Sequence, residues 1–428
     1  MLKKITQKLR GKTGFTFVAK LLVVGFGYLF ALYCTNLFGA SIYGLFSLSF
    51  MMLNLSKTMS VFGFDVTLLR YGSEAYAKQQ FGILRDLYLK CLGFTLVVSI
   101  VLGIALYLMT EFICYKIFSS PELIPYMKIT AVCLVPYALL SLNSELIKAT
   151  GNSVLYMLVN EGVYFGLAIV AIQGLSYLLN APNIMLGFIV AIFILMFFSF
   201  YWIIFEIGLY KTARVESRSF RQLLKTSYSF LLAGSSVFLK NWSDIFLLGV
   251  FLNPREVGIY SVIFKISKTI TIPVTTINAI QAPIFSSLFG KGKLDELADY
   301  VKKTNRQIVF LSLPAVLIIV LFPSFLIQFF GDEFTQGSTA LVVLTLGFLF
   351  KSIAGSTSLL LQMTDNEKRF MQIAVASLVF GLVINVWLIP KYGVLGAAIT
   401  STVVHLFWNG LCAYFSSKEL GFNTMRLR

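Results

Sequence analysis

The stretch FTLVVSIVLGIALYLM (residues 94–109) contains no charged residue and no apolar–polar alternation. A membrane β-strand reads as segments of about ten residues with a period of two, so this stretch excludes a barrel and reads as part of a membrane helix. The rest of the chain follows the same pattern. Hydrophobic residues make up 57% of the sequence and charged residues 13%, and the mean hydropathy is +0.83. Soluble domains carry about 25% charged residues, so the chain is read as an integral membrane protein.

Crossing roughly 30 Å of hydrocarbon at about 1.5 Å per residue takes about 20 apolar residues. Scanned on that basis, the sequence predicts an all-α membrane protein with about twelve spans. They fall near residues 14–37, 41–64, 87–110, 124–148, 153–176, 184–208, 228–251, 257–285, 307–330, 338–361, 369–389 and 393–415. The basic start followed by an apolar run reads as the first span, because the run is too long for a signal peptide and no small-residue cleavage site follows it. Cys34, Cys91, Cys114, Cys133 and Cys412 are odd in number and scattered, which indicates neither a disulfide framework nor a metal site.

The net charge of +16 raises the question of nucleic acid. With the N-terminus inside, about 25 of the 35 Lys and Arg fall in inner segments, and only Lys116, Arg255 and Lys391 fall in outer loops. This asymmetry predicts that both termini are cytoplasmic, and it accounts for the charge without a nucleic-acid partner. The connection LYKTARVESRSFRQLLKTS (209–227) carries Lys211, Arg214, Arg218, Arg221 and Lys225. It divides the chain into a six-helix half at 1–210, a cytoplasmic linker at 211–227 and a second six-helix half at 228–428. GASIYGLFS (39–47) is echoed by EVGIYSVIF (256–264). An even number of spans per half makes such repeats parallel, with a transport site expected between them. Pro273, Pro283, Pro314 and Pro323 are expected to bend their helices.

Charges inside spans carry the functional question, since a Lys or Asp at the bilayer centre costs roughly 2.5–3.5 kcal/mol. Lys20 and Lys57 either lie near enough to a helix end to snorkel or belong to the substrate-binding lumen, and Lys128 is interfacial. Lys240, Lys265, Lys268 and Lys351 lie about 12–18 Å deep, beyond comfortable snorkelling. Lys265 and Lys268 share a helix face at i, i+3, and Lys240 and Asp244 do so at i, i+4 within SVFLKNWSDIFLLGVFL (236–252). Together they predict a hydrated, net-positive lumen that draws in anions. Glu161 and Glu145 are candidates for binding a coupling proton or sodium ion, or for pairing with a lysine such as Lys148. His405, the only histidine, is either a proton relay or a packing element. The short outer loops offer no acid, base or nucleophile cluster, so no catalytic residue, metal or cofactor is expected and the chain is read as a transporter.

Four segments carry a family resemblance: FGASIYGLFSLSF (38–50), FGFDVTLLRYGSEA (62–75), NWSDIFLLGVFLNPREVGIYSVIFKISK (241–268) and IPKYGVLGAAI (389–399). In their order along the whole chain they resemble the Wzx-type polysaccharide flippases of the multidrug/oligosaccharidyl-lipid/polysaccharide superfamily. The resemblance implies two six-helix bundles enclosing a central cavity, alternating access, and a cationic lumen matched by Lys240, Lys265, Lys268 and Lys351. It implies movement of undecaprenyl-diphosphate-linked oligosaccharide, an O-antigen, capsule or exopolysaccharide unit, to the outer leaflet of a bacterial inner membrane. Arg70 would either capture headgroups at the inner surface or be an ordinary positive-inside loop residue, and a polysaccharide polymerase and chain-length proteins would be partners. The alternatives are a peptidoglycan-precursor flippase and a cation-coupled multidrug exporter. The exporter is expected to carry a lone carboxylate in its first helices, where this chain has Lys20.

Overall fold

The computed structural model describes residues 2–179, 183–205, 208, 215, 218–364 and 366–425, and these contain helices and turns but no strand. The main helices are α1 (Leu2–Val61), α2 (Phe64–Ala77), α3 (Phe81–Leu108), α4 (Ile124–Ala149), α5 (Ser153–Glu161), α6 (Val163–Leu179), α7 (Ile184–Phe205) and α8 (Phe220–Phe251). They continue with α9 (Pro254–Lys268), α10 (Ile272–Gly290), α11 (Leu294–Leu321), α12 (Pro323–Gln328), α13 (Ser338–Ala354), α14 (Thr357–Met363) and α15 (Glu367–Leu420). The expected linker falls partly outside the described residues, which omit 211–214, 216 and 217.

Among the described residues eight helical segments are long and apolar enough to cross a membrane, or nine if the pair Ser153–Asn160 and Val163–Tyr177, bent by 41°, forms one span. The difference from the twelve expected has a physical origin at two glycines. Ala19–Val61 runs for 43 residues and Lys368–Leu420 for 53. At about 1.5 Å per residue these measure roughly 65 and 80 Å, each more than twice the hydrocarbon thickness. Each is broken near its middle by a glycine with positive φ, Gly39 (φ 78°, ψ 179°) and Gly393 (φ 57°, ψ −133°). A residue with a Cβ is strained there. Helix α8, which carries Lys240 and Asp244, is 32 residues long and is not among the eight.

The chain forms two compact units. The first comprises residues up to Leu37 together with Leu48–Ser235. Here α4 packs against α2, α3 and α7, and α6 packs against α7. Phe64, Leu68, Leu84, Leu87, Cys91 and Leu146 are buried together. Lipid offers no hydrophobic drive for helix association, so packing and buried hydrogen bonds must hold the helices. Tyr88 donates to Asn143 at 2.7 Å, Asn143 donates to Ser199 at 2.9 Å, and the hydroxyls of Thr67 and Ser227 lie 2.7 Å apart.

The second unit comprises Phe38–Ser47 and the chain from Ser236 onwards. Helix α9 begins on a local signal: Asn253 accepts the Glu256 N–H at 3.1 Å, and Pro254 occupies the first turn. Residues 38–47 lie against this start. A Cβ on Gly44 would strike the carbonyl of Pro254, and one on Gly258 would strike that of Ala40. The Gly39 break leaves the Ala40 N–H without a helical acceptor, and Glu333 supplies one at 2.7 Å while its other oxygen meets Arg255 at 3.2 Å. Helix α13 packs against α9, α11 and α15, and α14 packs against α15, placing polar positions of α8, α9, α13 and α15 around a cavity.

Candidate functional site

The cavity lies inside the second unit and has a volume of about 120 Å³. At about 30 Å³ per water it has room for roughly four. Its charged walls are Lys240 and Asp244 from α8, Lys268 from α9 and Lys351 from α13. Asn241 and Ser243 of α8 and Ser377, Ser401 and His405 of α15 add to the polar lining, with Phe264 and Phe348 among its apolar walls.

Lys240 and Asp244 share a helix but do not form an ion pair. Asp244 is buried and accepts hydrogen bonds from Tyr260 Oη at 2.8 Å, from Asn385 Nδ2 at 2.7 Å and from Ser401 Oγ. These donors are neutral, so the carboxylate is stabilised by dipoles and not by the lysine. The Lys240 ammonium lies 3.8 Å from the centre of the Trp408 indole ring, a cation–π contact. The cause is geometric: with Lys preceding Asp the pair has the weaker i, i+4 orientation. Neither Lys240 nor Lys351 has a carboxylate within bridging distance among the described residues. Lys268 is exposed and lies 5.7 Å from the Phe264 ring centre. The His405 ring lies against Phe348 with centroids 4.6 Å apart and planes tilted by 47°. Ser377 Oγ is buried and without a hydrogen-bond partner among the described residues.

Of the residues singled out by sequence, the cavity brings together Lys240, Asp244, Lys268, Lys351 and His405. Lys265 is half-buried and does not line it. The others belong to the first unit. Lys57 lies 5.4 Å from the Tyr137 ring centre, and the Tyr137 hydroxyl donates to Asn54 at 3.3 Å. Lys20 is half-buried on α1. Glu145 pairs with Lys148 at 3.2 Å, and Lys148 lies 4.4 Å from the Tyr156 ring centre. The side chain of Glu161 lies outside the described residues. Arg70 is exposed on α2 and shares the Tyr71 ring with Arg218, at 5.6 and 4.3 Å. Beside them, the Lys78 ammonium hydrogen-bonded to Glu74 holds that carboxyl below the usual carboxylate range.

Sequence reasoning missed Trp408, Asn385, Ser401 and Ser377. They come from α15, more than a hundred residues from Lys240, and uncharged side chains in an apolar run give no depth signal. Tyr260 stood in the internal echo, but nothing in its context pointed to a carboxylate. Among the described residues no group of three His, Cys, Asp or Glu is placed to hold a metal ion.

Comparison with known proteins agrees with this architecture. A family model described as polysaccharide biosynthesis protein matches residues 35–337, well over half the chain. The chain is 27% identical over 164 residues to a probable flippase, AglR, of Haloferax volcanii, covering 38% of this chain and 34% of that protein. It is 23% identical over 184 residues to a probable low-salt glycan biosynthesis flippase, Agl15, of the same organism, covering 43% and 39%. The matches thus span about two fifths or less of these curated relatives' own length. Among solved structures, the lipid II flippase MurJ in an inward closed conformation superposes with a TM-score of 0.74 at 16% identity, covering 94% of this chain and 87% of MurJ. An inward-facing multidrug resistance transporter of the MATE family and MOP superfamily gives 0.73 at 14% identity, covering 95% and 98%. At these identities the likeness is one of fold.

Proposed function

Because the chain belongs to the polysaccharide biosynthesis protein family, we propose that this multi-pass membrane protein is a flippase for a polyprenyl-diphosphate-linked oligosaccharide. It carries this lipid from the cytoplasmic to the outer leaflet of the bacterial inner membrane by alternating access. The observation that supports this reading is the convergence of Lys240, Lys268 and Lys351 on one cavity, whose one carboxylate among the described residues is already bound by neutral donors. Such a site attracts a diphosphate, and ammonium groups meet phosphate oxygens as point charges. The glycan remains in water and the polyprenyl chain in lipid.

Transport follows if the lysines meet the diphosphate from one side and then from the other, since a ligand shifts conformers only through differential affinity. Arg70 and Arg218 on Tyr71 provide first capture of the headgroup. A proton or sodium ion drives the cycle, with Glu145, Glu161 and His405 as the groups it would act through. A polymerase and chain-length proteins would take the product. A multidrug exporter that binds cations fits a cavity walled by three lysines less well, whereas a peptidoglycan-precursor flippase presents the same diphosphate and is separated only by the glycan.

The test is glycan export in cells carrying single Ala substitutions at Lys240, Lys268 and Lys351, normalised to membrane expression. Each is expected to reduce export at least tenfold. Undiminished export in all three would remove the reading. Assaying cells for both the surface glycan and lipid II distinguishes the two lipid substrates, and collapsing the proton or sodium gradient in turn identifies the coupling ion.

A further inference from the structure

Helix α11 presents a face that the transport reading does not use. Its buried side consists of Leu297, Val301, Thr304, Asn305, Ile308, Ser312, Val316 and Ile319, at helical spacing. The opposite side carries Lys303, Arg306, Phe310, Leu313, Leu317 and Leu321, successive steps of three or four residues that keep them in one stripe. Phe310 is 76% exposed and Leu321 65%. Residues 307–321 contain no charged side chain, a length of about 22 Å that matches most of a hydrocarbon layer. Lys303 and Arg306 therefore stand at the edge of that layer.

A groove of about 420 Å³ occurs at this point, lined by Lys303, Arg306, Gln307, Val309, Phe310 and Leu313. The surface these side chains give it is almost wholly apolar, with Lys303 and Arg306 contributing their stems at one end and their charged ends lying beyond it. Neither cation has a hydrogen-bond or carboxylate partner among the described residues. The nearest acid on the helix, Asp299, lies four and seven residues before them, further from the apolar stretch, and bridges neither. Snorkelling alone explains a single basic residue at such a boundary. Two adjacent unpaired cations capping an apolar groove match the two ends of one molecule, a phosphate head and an acyl chain.

We propose that this groove is a binding site for an anionic glycerophospholipid of the surrounding bilayer. Its phosphate lies between Lys303 and Arg306, and one acyl chain runs beside Phe310 and Leu313. Each Lys or Arg near an anionic membrane surface contributes about 1 kcal/mol of attraction, so two give roughly tenfold or more preference over a zwitterionic lipid. The site is separate from the cationic cavity, and its failure would leave the transport reading untouched.

The test uses the full chain in nanodiscs, with Phe310→Trp as a local reporter and brominated lipids as quenchers. The native tryptophans are accounted for by subtracting the unsubstituted protein. Brominated phosphatidylglycerol is expected to bind about tenfold more tightly than brominated phosphatidylcholine at this position. Lys303→Gln with Arg306→Gln is expected to bring the two lipids within about twofold, with elution and thermal unfolding unchanged. Lys302→Gln, at an exposed lysine that does not line the groove, is expected to leave the preference intact. Equal quenching by the two lipids overturns the proposal, as does a preference that survives the double substitution. Displacement of phosphatidylglycerol by equimolar undecaprenyl phosphate also overturns it, because the groove would then belong to the carrier lipid.

Discussion

Lys240 and Asp244 should respond very differently to removal, and the difference can be worked out from their partners. If they formed a buried ion pair, removing either would cost about 3–5 kcal/mol, and removing both would cost little more than either alone. The structure gives another arithmetic. Asp244→Ala leaves three buried donors, Tyr260, Asn385 and Ser401, without their acceptor. The Tyr260 and Ser401 hydroxyls lie 3.2 Å apart and can satisfy one another in part, so about two groups remain orphaned. At about 1–3 kcal/mol each, the loss is roughly 2–5 kcal/mol. Lys240→Ala forfeits only the contact with Trp408, about 1–2 kcal/mol when desolvated, and relieves the burial of a charge. The expected result is a large loss for Asp244→Ala, a change within about 1 kcal/mol for Lys240→Ala, and near-additivity in the double variant. Trp408→Ala should lower stability no further in the Lys240→Ala background through that contact. Equilibrium unfolding in mixed detergent micelles measures all four. Equal costs for the two single variants, with a double variant no worse than either, would refute the assignment of Asp244 to neutral donors.

Other outcomes follow from contacts in the second unit. Glu333→Ala removes the acceptor of the Ala40 N–H and should cost about 1–2 kcal/mol in unfolding free energy, most of it recovered by Glu333→Gln; Arg255→Ala should cost less than about 1 kcal/mol, because its bridge is half-exposed. Gly258→Val would drive side-chain atoms into the Ala40 carbonyl and should abolish monodisperse protein on size exclusion. Gly410→Ala, with nothing within 4 Å of the added Cβ, should change nothing in the same measurement.

Much of the architecture was legible because the bilayer imposes a length rule on helices. The segment IPKYGVLG was readable only as a resemblance, and FGASIYG only as a resemblance and an internal echo, yet each contains the glycine, Gly39 or Gly393, at which a long helix breaks. Positive φ leaves no mark on hydropathy, so a window scan predicts a boundary there without its cause. Depth placed Lys240, Lys268 and Lys351 at the cavity, but it included Lys265 as well. Residues at i and i+3 differ by about 60° around a helix of 3.6 residues per turn, enough for Lys268 to line the cavity while Lys265 does not. The Asp244 partners were illegible for a different reason. Asn385 and Ser401 lie 141 and 157 residues away in sequence, and i, i+4 reasoning sees only the local neighbour, Lys240.

The neutral partners of Asp244 change the energetics of the site. With Asp244 engaged by neutral donors, Lys240 and Lys351 have no carboxylate counter-ion among the described residues, and each cation at membrane depth costs roughly 2.5–3.5 kcal/mol when uncompensated. Lys240 recovers part of this over Trp408. Lys351 has no ring or carboxylate partner among the described residues, so it carries the largest uncompensated cost. Lys351→Met, which keeps the stem and removes the charge, should therefore raise the stability of the empty protein by about 1–2 kcal/mol while reducing export. Soluble pyrophosphate supplies the missing counter-charge, and saturating amounts should stabilise the unsubstituted protein by more than they stabilise Lys351→Met. Thermal unfolding with and without pyrophosphate, beside the export assay, reads both quantities. If Lys351→Met destabilised the empty protein and kept its response to pyrophosphate, the lysine would be a structural group, and the cavity would already contain its own compensation.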